Sequence, residues 1–315
     1  MVLNILILIT GLAVLILGGD FLVKGASSIA LRLKLSTLVV GLTIVAFGTS
    51  SPELIISIKS ALAGSPDLAM GNVIGSNICN LALVLGIASI ISPIYVQINS
   101  LKIDWPMTMG SSLLLYLIVR EGFVDSYEGI LFILILVVYV VFIVRKSRKD
   151  MKTAKVLEQE FDLPETPHTL LKDLSYIILG SAGLYFGAEW FVGGAQDFAM
   201  ELGIEERVIG ITVLALGTSL PELVTSSVAS FKKETDLALG NLMGSNIFNI
   251  LSILGITSII TEIRVSDVIV NTDIIWMLGI TLVVLPLMLT KRQVGRTDGI
   301  ILLLIYIYYM YTVVW

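Results

Sequence analysis

Two glutamates stand in segments that offer a carboxylate no water. Glu53 closes Gly48-Thr49-Ser50-Ser51-Pro52-Glu53 inside the apolar stretch 37–63. Glu222 closes Gly217-Thr218-Ser219-Leu220-Pro221-Glu222 inside 206–230. An unpaired charged acid at the centre of a membrane helix costs at least about 2.5 kcal/mol. No lysine or arginine lies at the depth of either residue; the nearest, Lys59, is nearly two turns further along. The natural partner is therefore a bound cation or a proton. The neighbours offer oxygen only, through the hydroxyls of Thr49, Ser50, Thr218 and Ser219. Oxygen ligands select hard cations such as Na⁺ and Ca²⁺. Pro52 and Pro221 have no N–H, so the carbonyls four residues earlier, on Gly48 and Gly217, lose their helical partner. Each helix is expected to break there and expose carbonyls around Ala46–Thr49 and Ala215–Thr218. Broken helices are how membrane proteins present backbone oxygens to ions.

A second constellation follows on the next segment. Asn72, Ser76 and Asn80 are four apart and form one polar stripe on a helix, repeated by Asn241, Ser245 and Asn249. Gly71 and Gly75, and likewise Gly240 and Gly244, lie beside the stripes, where they would let this helix pack closely on the glutamate-bearing one. Close packing would bring Ser76 and Asn80 toward the glutamates.

The elements that must hold these residues are membrane helices. The chain has 315 residues, 56% hydrophobic and 14% charged, with a mean hydropathy of +0.95; soluble domains carry roughly 25% charged residues. Apolar runs of helical membrane-spanning length recur, and the alternating segments of a β-barrel are absent. The net charge of −5 is small, and no basic patch suggests nucleic acid. One cysteine, Cys79, and one histidine, His168 in a polar loop, exclude an internal disulfide and speak against thiolate or histidine metal centres. No organic cofactor is implied. The apolar N-terminus lacks a basic n-region and reads as a first span.

Ten helices are expected, near 2–20 (continuing toward 30), 37–63, 68–91, 103–119, 128–145, 171–199, 206–230, 237–260, 272–290 and 298–314. Matches between the halves keep one offset: 169 residues separate Glu53 from Glu222, Gly41 from Gly210, Asn80 from Asn249, Asp20 from Glu189 and Asp104 from Asp273. The chain therefore divides into five-helix repeats at 1–145 and 171–315, joined by a charged cytoplasmic linker at 146–170. Five crossings is odd, so the second repeat enters from the opposite side. The repeats are inverted about an axis in the membrane plane, which brings Glu53 toward Glu222. With both termini outside, sixteen of the twenty lysines and arginines fall on the cytoplasmic side. The reading is thus an all-α, multi-pass inner (plasma) membrane protein of ten spans in two inverted repeats, N-out and C-out, working as a monomer.

Plainer readings apply elsewhere. The glycine pairs alone are first of all packing motifs. Asp20 and Glu189 read as interfacial anchors, Asp67 and Asp236 as helix N-caps, and Cys79 as a small apolar residue.

At Gly48–Glu53 with Gly71-Asn72-Val73-Ile74-Gly75-Ser76-Asn77-Ile78-Cys79-Asn80, and at Gly217–Glu222 with Gly240-Asn241-Leu242-Met243-Gly244-Ser245-Asn246-Ile247-Phe248-Asn249, the sequence resembles the cation/calcium exchanger superfamily. Within it the match is to the prokaryotic sodium/calcium exchangers. The resemblance implies alternating-access antiport in which Na⁺ and Ca²⁺ are transported substrates, with no enzymatic step. It implies that Glu53 and Glu222 ligate Ca²⁺ and share Na⁺, and that Thr49 and Thr218 offer carbonyls to Ca²⁺. Ala46 and Ala215 carbonyls with Ser50, Ser76, Ser219 and Ser245 would build flanking Na⁺ sites, and Asn80 and Asn249 would line the centre. Helices 1 and 6 are expected to slide across the rest. Asn249, where a potassium-dependent branch carries Asp, argues against K⁺ coupling. Gly75 and Gly244, where a proton/calcium branch carries Glu, argue against H⁺ coupling. Those two branches stand as alternatives, and a cation channel as the alternative of a different class. A hydrolase using Ser50 or Ser219 has no histidine or lysine at that depth to serve as its base. The carboxylates alone could serve as a dyad, but their duplication in two equal motifs fits ion binding better.

Overall fold

The computed structural model describes residues 2–157, 169–202 and 217–314. The expected positions of His168, Arg207, Gly210 and Ala215 lie outside the described residues. Helix α1 runs Val2–Leu33, and α2, Thr37–Thr49, is joined to α3, Ser51–Leu62, through a bend of 45°. Next come α4 (Pro66–Ile91), α5 (Trp105–Val119), α6 (Ser126–Leu157) and α7 (Leu170–Glu201). They are followed by α8 (Leu220–Phe231), α9 (Thr235–Ile260), α10 (Ile274–Leu289) and α11 (Arg296–Val314). Among the described residues five helices are long and apolar enough to cross a membrane, six if the bent pair counts as one. The exposed faces carry Leu3, Leu6 and Ile9 on α1, Leu134 and Val138 on α6, and Leu304 and Ile307 on α11. Such faces meet lipid at no cost, so the chain is a multi-pass helical membrane protein.

Helix α1 continues without interruption to Leu33, in line with the expected extension. One boundary differs from expectation. Helix α6 runs twelve residues into the expected linker, to Leu157. The segment after Val144 is rich in Lys and Arg, which lose little rotamer freedom in a helix and carry it beyond the apolar span.

The strand bridges between the two halves are related by a two-fold exchange. Strand β1 (Ile94–Tyr95) pairs antiparallel with β4 (Gln293–Val294), and β2 (Phe123–Val124) with β3 (Ile263–Arg264), each bridge joining one half to the other. Helices α1 and α7 pack along their length. A Cβ at Gly18 would lie 2.7 Å from the Leu184 nitrogen, and one at Gly180 2.6 Å from the Leu22 nitrogen. No side chain larger than hydrogen fits either crossing. At the end of this pair the Arg32 guanidinium donates to buried Asp173, with Nε and Nη2 at 2.9 and 2.8 Å from Oδ2.

The main core joins α4 and α9 to α5, α6, α10 and α11 around Ile74, Leu115, Phe132 and Leu251. A smaller one binds α1, α2, α7 and α8 around Leu22, Val40 and Leu184. The glycines beside the polar stripes act otherwise than expected. Among the described residues nothing lies within 4 Å of a Cβ placed at Gly71 or Gly75, so they do not dock α4 onto α2 and α3. Gly240 and Gly244 do mediate a close approach, but to α2 of the other half: Gly240 packs against the Leu38 carbonyl, and a Cβ at Gly244 would lie 2.7 Å from Leu42 Cα. The reason is that the halves interlock, with α9 filling the angle of the first bent pair.

Asp67 and Asp236 are not N-caps. Ser65 and Glu234 hold those positions, with Pro66 opening the first helix. The two carboxylates instead reach across to the opposite half. Asp67 accepts from the Ser266 N–H at 3.0 Å and Asp236 from Gln97 Nε2 at 2.6 Å.

Candidate ion-binding site

The bend that places Glu53 is one residue long. Ser50 takes φ −86°, ψ 8°, and Ser219 takes φ −89°, ψ 4° at the equivalent point. Both lie in the sparsely occupied bridge region between helix and strand. Pro52 and Pro221 follow in the first turn of the new helix, where a missing N–H costs nothing. Glu53 and Glu222 are thereby set in the first turns of α3 and α8, where the helix dipole favours a negative charge. Both are completely buried.

Their surroundings are oxygen-rich and short of donors. Glu222 Oε1 accepts from Ser50 Oγ at 2.9 Å and from Ser245 Oγ at 3.3 Å. Among the described residues, Glu222 Oε2 and both carboxylate oxygens of Glu53 accept no hydrogen bond. Ser50, beside Glu53 in the chain, reaches Glu222 of the other half, so the two acidic motifs share one buried region.

The asparagine stripes complete it. Asn80 Nδ2 donates to Asn246 Oδ1 and Asn249 Nδ2 to Asn77 Oδ1, both at 3.1 Å. Asn77 and Asn246 donate in turn to each other's backbone carbonyls, at 3.3 and 3.2 Å. This reciprocal square fixes both outer amides by their NH₂ groups. Among the described residues, the Oδ1 atoms of Asn80 and Asn249 are left buried and without a donor. A carbonyl oxygen so held is an acceptor waiting for a positive charge.

The hydroxyl residues fall around this centre. Thr49 Oγ1 is within 3.2 Å of the Val45 and Ala46 carbonyls and 3.1 Å from Asn241 Oδ1, and its single proton serves one of them at a time. Thr49 with Ser245 and Thr218 with Ser76 form equivalent contacts at 3.4 Å. Ser219 is buried, and among the described residues its Oγ meets no partner within hydrogen-bonding geometry. The Ala46 carbonyl already accepts the Ser50 N–H at 2.9 Å, so the bend frees it less than expected. Ala215 is not among the described residues.

Two pairs that sequence reasoning did not single out matter as much. Asn77 and Asn246 orient the outer asparagines. Ser57 and Ser226 accept from Asn72 and Asn241 at 3.1 and 3.0 Å, anchoring the start of each stripe. The signal was present, since both pairs keep the 169-residue offset and Ser57 lies one turn past Glu53 on the same face. Among the described residues no three Cys, His, Asp or Glu cluster as a metal site. The centre is two carboxylates supplemented by neutral oxygens, a donor set for weakly held hard cations.

The fold and the site define a multi-pass membrane protein with two carboxylates and several neutral oxygens buried among its helices. Comparison with known proteins is specific. The sodium/calcium exchanger protein family matches residues 3–145 and 172–315, and the chain belongs to it. The sodium/calcium exchanger MaX1 of Methanosarcina acetivorans is 32% identical over 98% of this chain and 97% of its own. The inner membrane protein YrbG of Escherichia coli is 31% identical over 96% and 94%. A structure of the sodium-calcium exchanger NCX_Mj, soaked with zero Na⁺ and Ca²⁺, superposes with a TM-score of 0.84 at 31% identity, covering 99% of both chains.

Proposed function

We propose that the chain exchanges Na⁺ for Ca²⁺ across the plasma membrane by alternating access, as a monomer of ten spans in two inverted repeats with both termini outside. The observation that carries this reading is the set of buried, donorless oxygens on Glu53, Glu222, Asn80 and Asn249. Both substrates meet the same carboxylates, which makes their binding mutually exclusive and couples their movements. Thr49, Thr218, Ser50, Ser219, Ser76, Ser245, Ala46 and Ala215 complete the coordination, and the Thr49 hydroxyl turns away from Ala46 as an ion arrives. Two carboxylates balance one Ca²⁺. Three Na⁺ exceed them by one charge, so exchange in that ratio moves net charge. Asn249 leaves no third carboxylate for K⁺. Membership of an exchanger family favours transport over catalysis.

The test is radiolabelled Ca²⁺ uptake into Na⁺-loaded proteoliposomes. Uptake is expected to follow the outward Na⁺ gradient and to ignore added K⁺. Uptake indifferent to the Na⁺ gradient favours a channel, and stimulation by K⁺ or by a proton gradient favours the corresponding branch.

A further inference from the structure

The two halves differ where α1 meets α8 and where α7 faces α3. Helix α1 lies directly against α8: a Cβ at Gly19 would sit 3.1 Å from Val224 Cγ1 and 3.6 Å from Val228 Cγ2. The next residue, Asp20, is clamped. It pairs with Lys24 at 2.6 Å and with Lys232 at the end of α8, whose Nζ also lies 3.5 Å from the Asp20 carbonyl. Shifted by 169 residues, Gly19 and Asp20 become Ala188 and Glu189 on α7, while Val224 and Val228 become Ile55 and Lys59 on α3. These four do not close on one another. They line a cleft of about 380 Å³ that reaches Pro52 and Pro221 at the two bends. Glu189 and Lys59 are both exposed, and among the described residues no ion pair joins them. The same constellation is shut in one half and open in the other.

We infer that Asp20–Lys232 and Glu189–Lys59 are the two latches of one gate, made and broken in alternation. The inference rests on the alternating-access reading above and names the contacts that hold each state. Coupling between the latches follows from packing. The Gly18 and Gly180 crossings and the Arg32–Asp173 pair bind α1 and α7 into one body. A shift that lifts α1 from α8 therefore carries α7 toward α3. Lys59 lies one turn nearer its bend than the position equivalent to Lys232, which is Ala63. The longer side chain of Glu189 makes up part of that turn. Partly exposed ion pairs suit such a role, because each is weak enough to break in every cycle.

The test uses the full chain in proteoliposomes with Gln196→Cys, a position lining the cleft, as a reporter; buried Cys79 stays in place. A membrane-impermeant maleimide reads how long the cleft is open. Asp20→Asn and, independently, Lys232→Gln weaken the closed latch and are expected to lower the labelling rate about two- to five-fold, the scale of one partly exposed pair. Lys59→Glu places like charges across the cleft and is expected to raise labelling and slow exchange, with Lys59→Glu/Glu189→Lys restoring both. Unchanged labelling in Asp20→Asn and Lys232→Gln, or a double reversal that restores neither property, overturns the gate. Labelling that shifts as expected in a protein without Na⁺-dependent Ca²⁺ flux overturns the exchange reading and leaves the gate standing. Size-exclusion elution matched to the parent separates these results from misfolding.

Discussion

At the scale of single residues, the proposed function rests on acceptors for which the described residues supply no donor. Glu53→Gln and Glu222→Gln keep the shape but exchange one oxygen for an NH₂ donor and remove a charge. Either is expected to lower Na⁺-dependent Ca²⁺ uptake by at least about 100-fold, since removing one charge from a buried, oppositely charged pair costs about 3 kcal/mol or more. Helical content and detergent elution should stay unchanged, and retained uptake in either variant means the ions bind elsewhere. The asparagine square makes a second prediction. Asn77 and Asn246 hold the amides of Asn249 and Asn80 without offering their own oxygens outward. Asn77→Ala or Asn246→Ala should raise the apparent Ca²⁺ dissociation constant about 5- to 100-fold, because a buried amide left unpaired costs about 1–3 kcal/mol. Isothermal titration in detergent measures it, and an unchanged constant would show the square to be scaffolding alone. The glutamates were legible from sequence because a carboxylate in an apolar run has no bland explanation. Asn77 and Asn246 were not, because a polar residue beside a polar stripe reads as part of the stripe until its partner across the interface is known.

At the scale of elements, the bends and the glycine crossings position everything else. The bend at Ser50 was legible because Gly48 and Pro52 jointly remove a hydrogen bond and a side chain from the same turn. The partners of the glycines were not. Spacing shows that a helix can be approached closely but not by which neighbour, and α9 docks on α2 of the other half. Likewise Asp67 and Asp236 carried the composition of caps, but their helices start earlier and their carboxylates reach the opposite repeat. The α1–α7 crossing supplies the prediction at this scale. Gly18→Val forces methyl groups into the Leu184 backbone, where even a Cβ would lie 2.7 Å from nitrogen. A cost of about 1–3 kcal/mol is expected for such overpacking, seen as a lower thermal midpoint in detergent. Gly279→Ala on α10, with nothing within 4 Å among the described residues, should hold the midpoint or raise it through helix propensity. Equal destabilisation by both would deny the crossing any special role.

At the scale of the whole molecule, the question is what two interlocked repeats accomplish that one could not. Under the alternating-access reading proposed above, a site made from both halves has equivalent routes to either face, and the Asp20 clamp and the Glu189 cleft would be those routes in different states. Charge then decides the energetics of transport. With Glu53 and Glu222 as its two carboxylates and, among the described residues, no acidic third at Asn80 or Asn249, the site is neutral with one Ca²⁺ and carries one positive charge with three Na⁺. In the proposed exchange of three Na⁺ for one Ca²⁺ the loaded forms differ by one elementary charge, and each cycle is expected to move that charge across the membrane. A potential of 100 mV does about 2.3 kcal/mol of work on it, which changes the Ca²⁺ gradient reached at steady state about 50-fold at fixed Na⁺. Proteoliposomes clamped with K⁺ and valinomycin provide the measurement, provided K⁺ itself is not transported, which varying K⁺ at zero potential checks. Inside-negative potential should oppose Ca²⁺ uptake coupled to outward Na⁺ movement, and inside-positive potential should favour it. A Ca²⁺ gradient that ignores the clamp would mean two Na⁺ per Ca²⁺, and the carboxylates would then be fully balanced by either substrate.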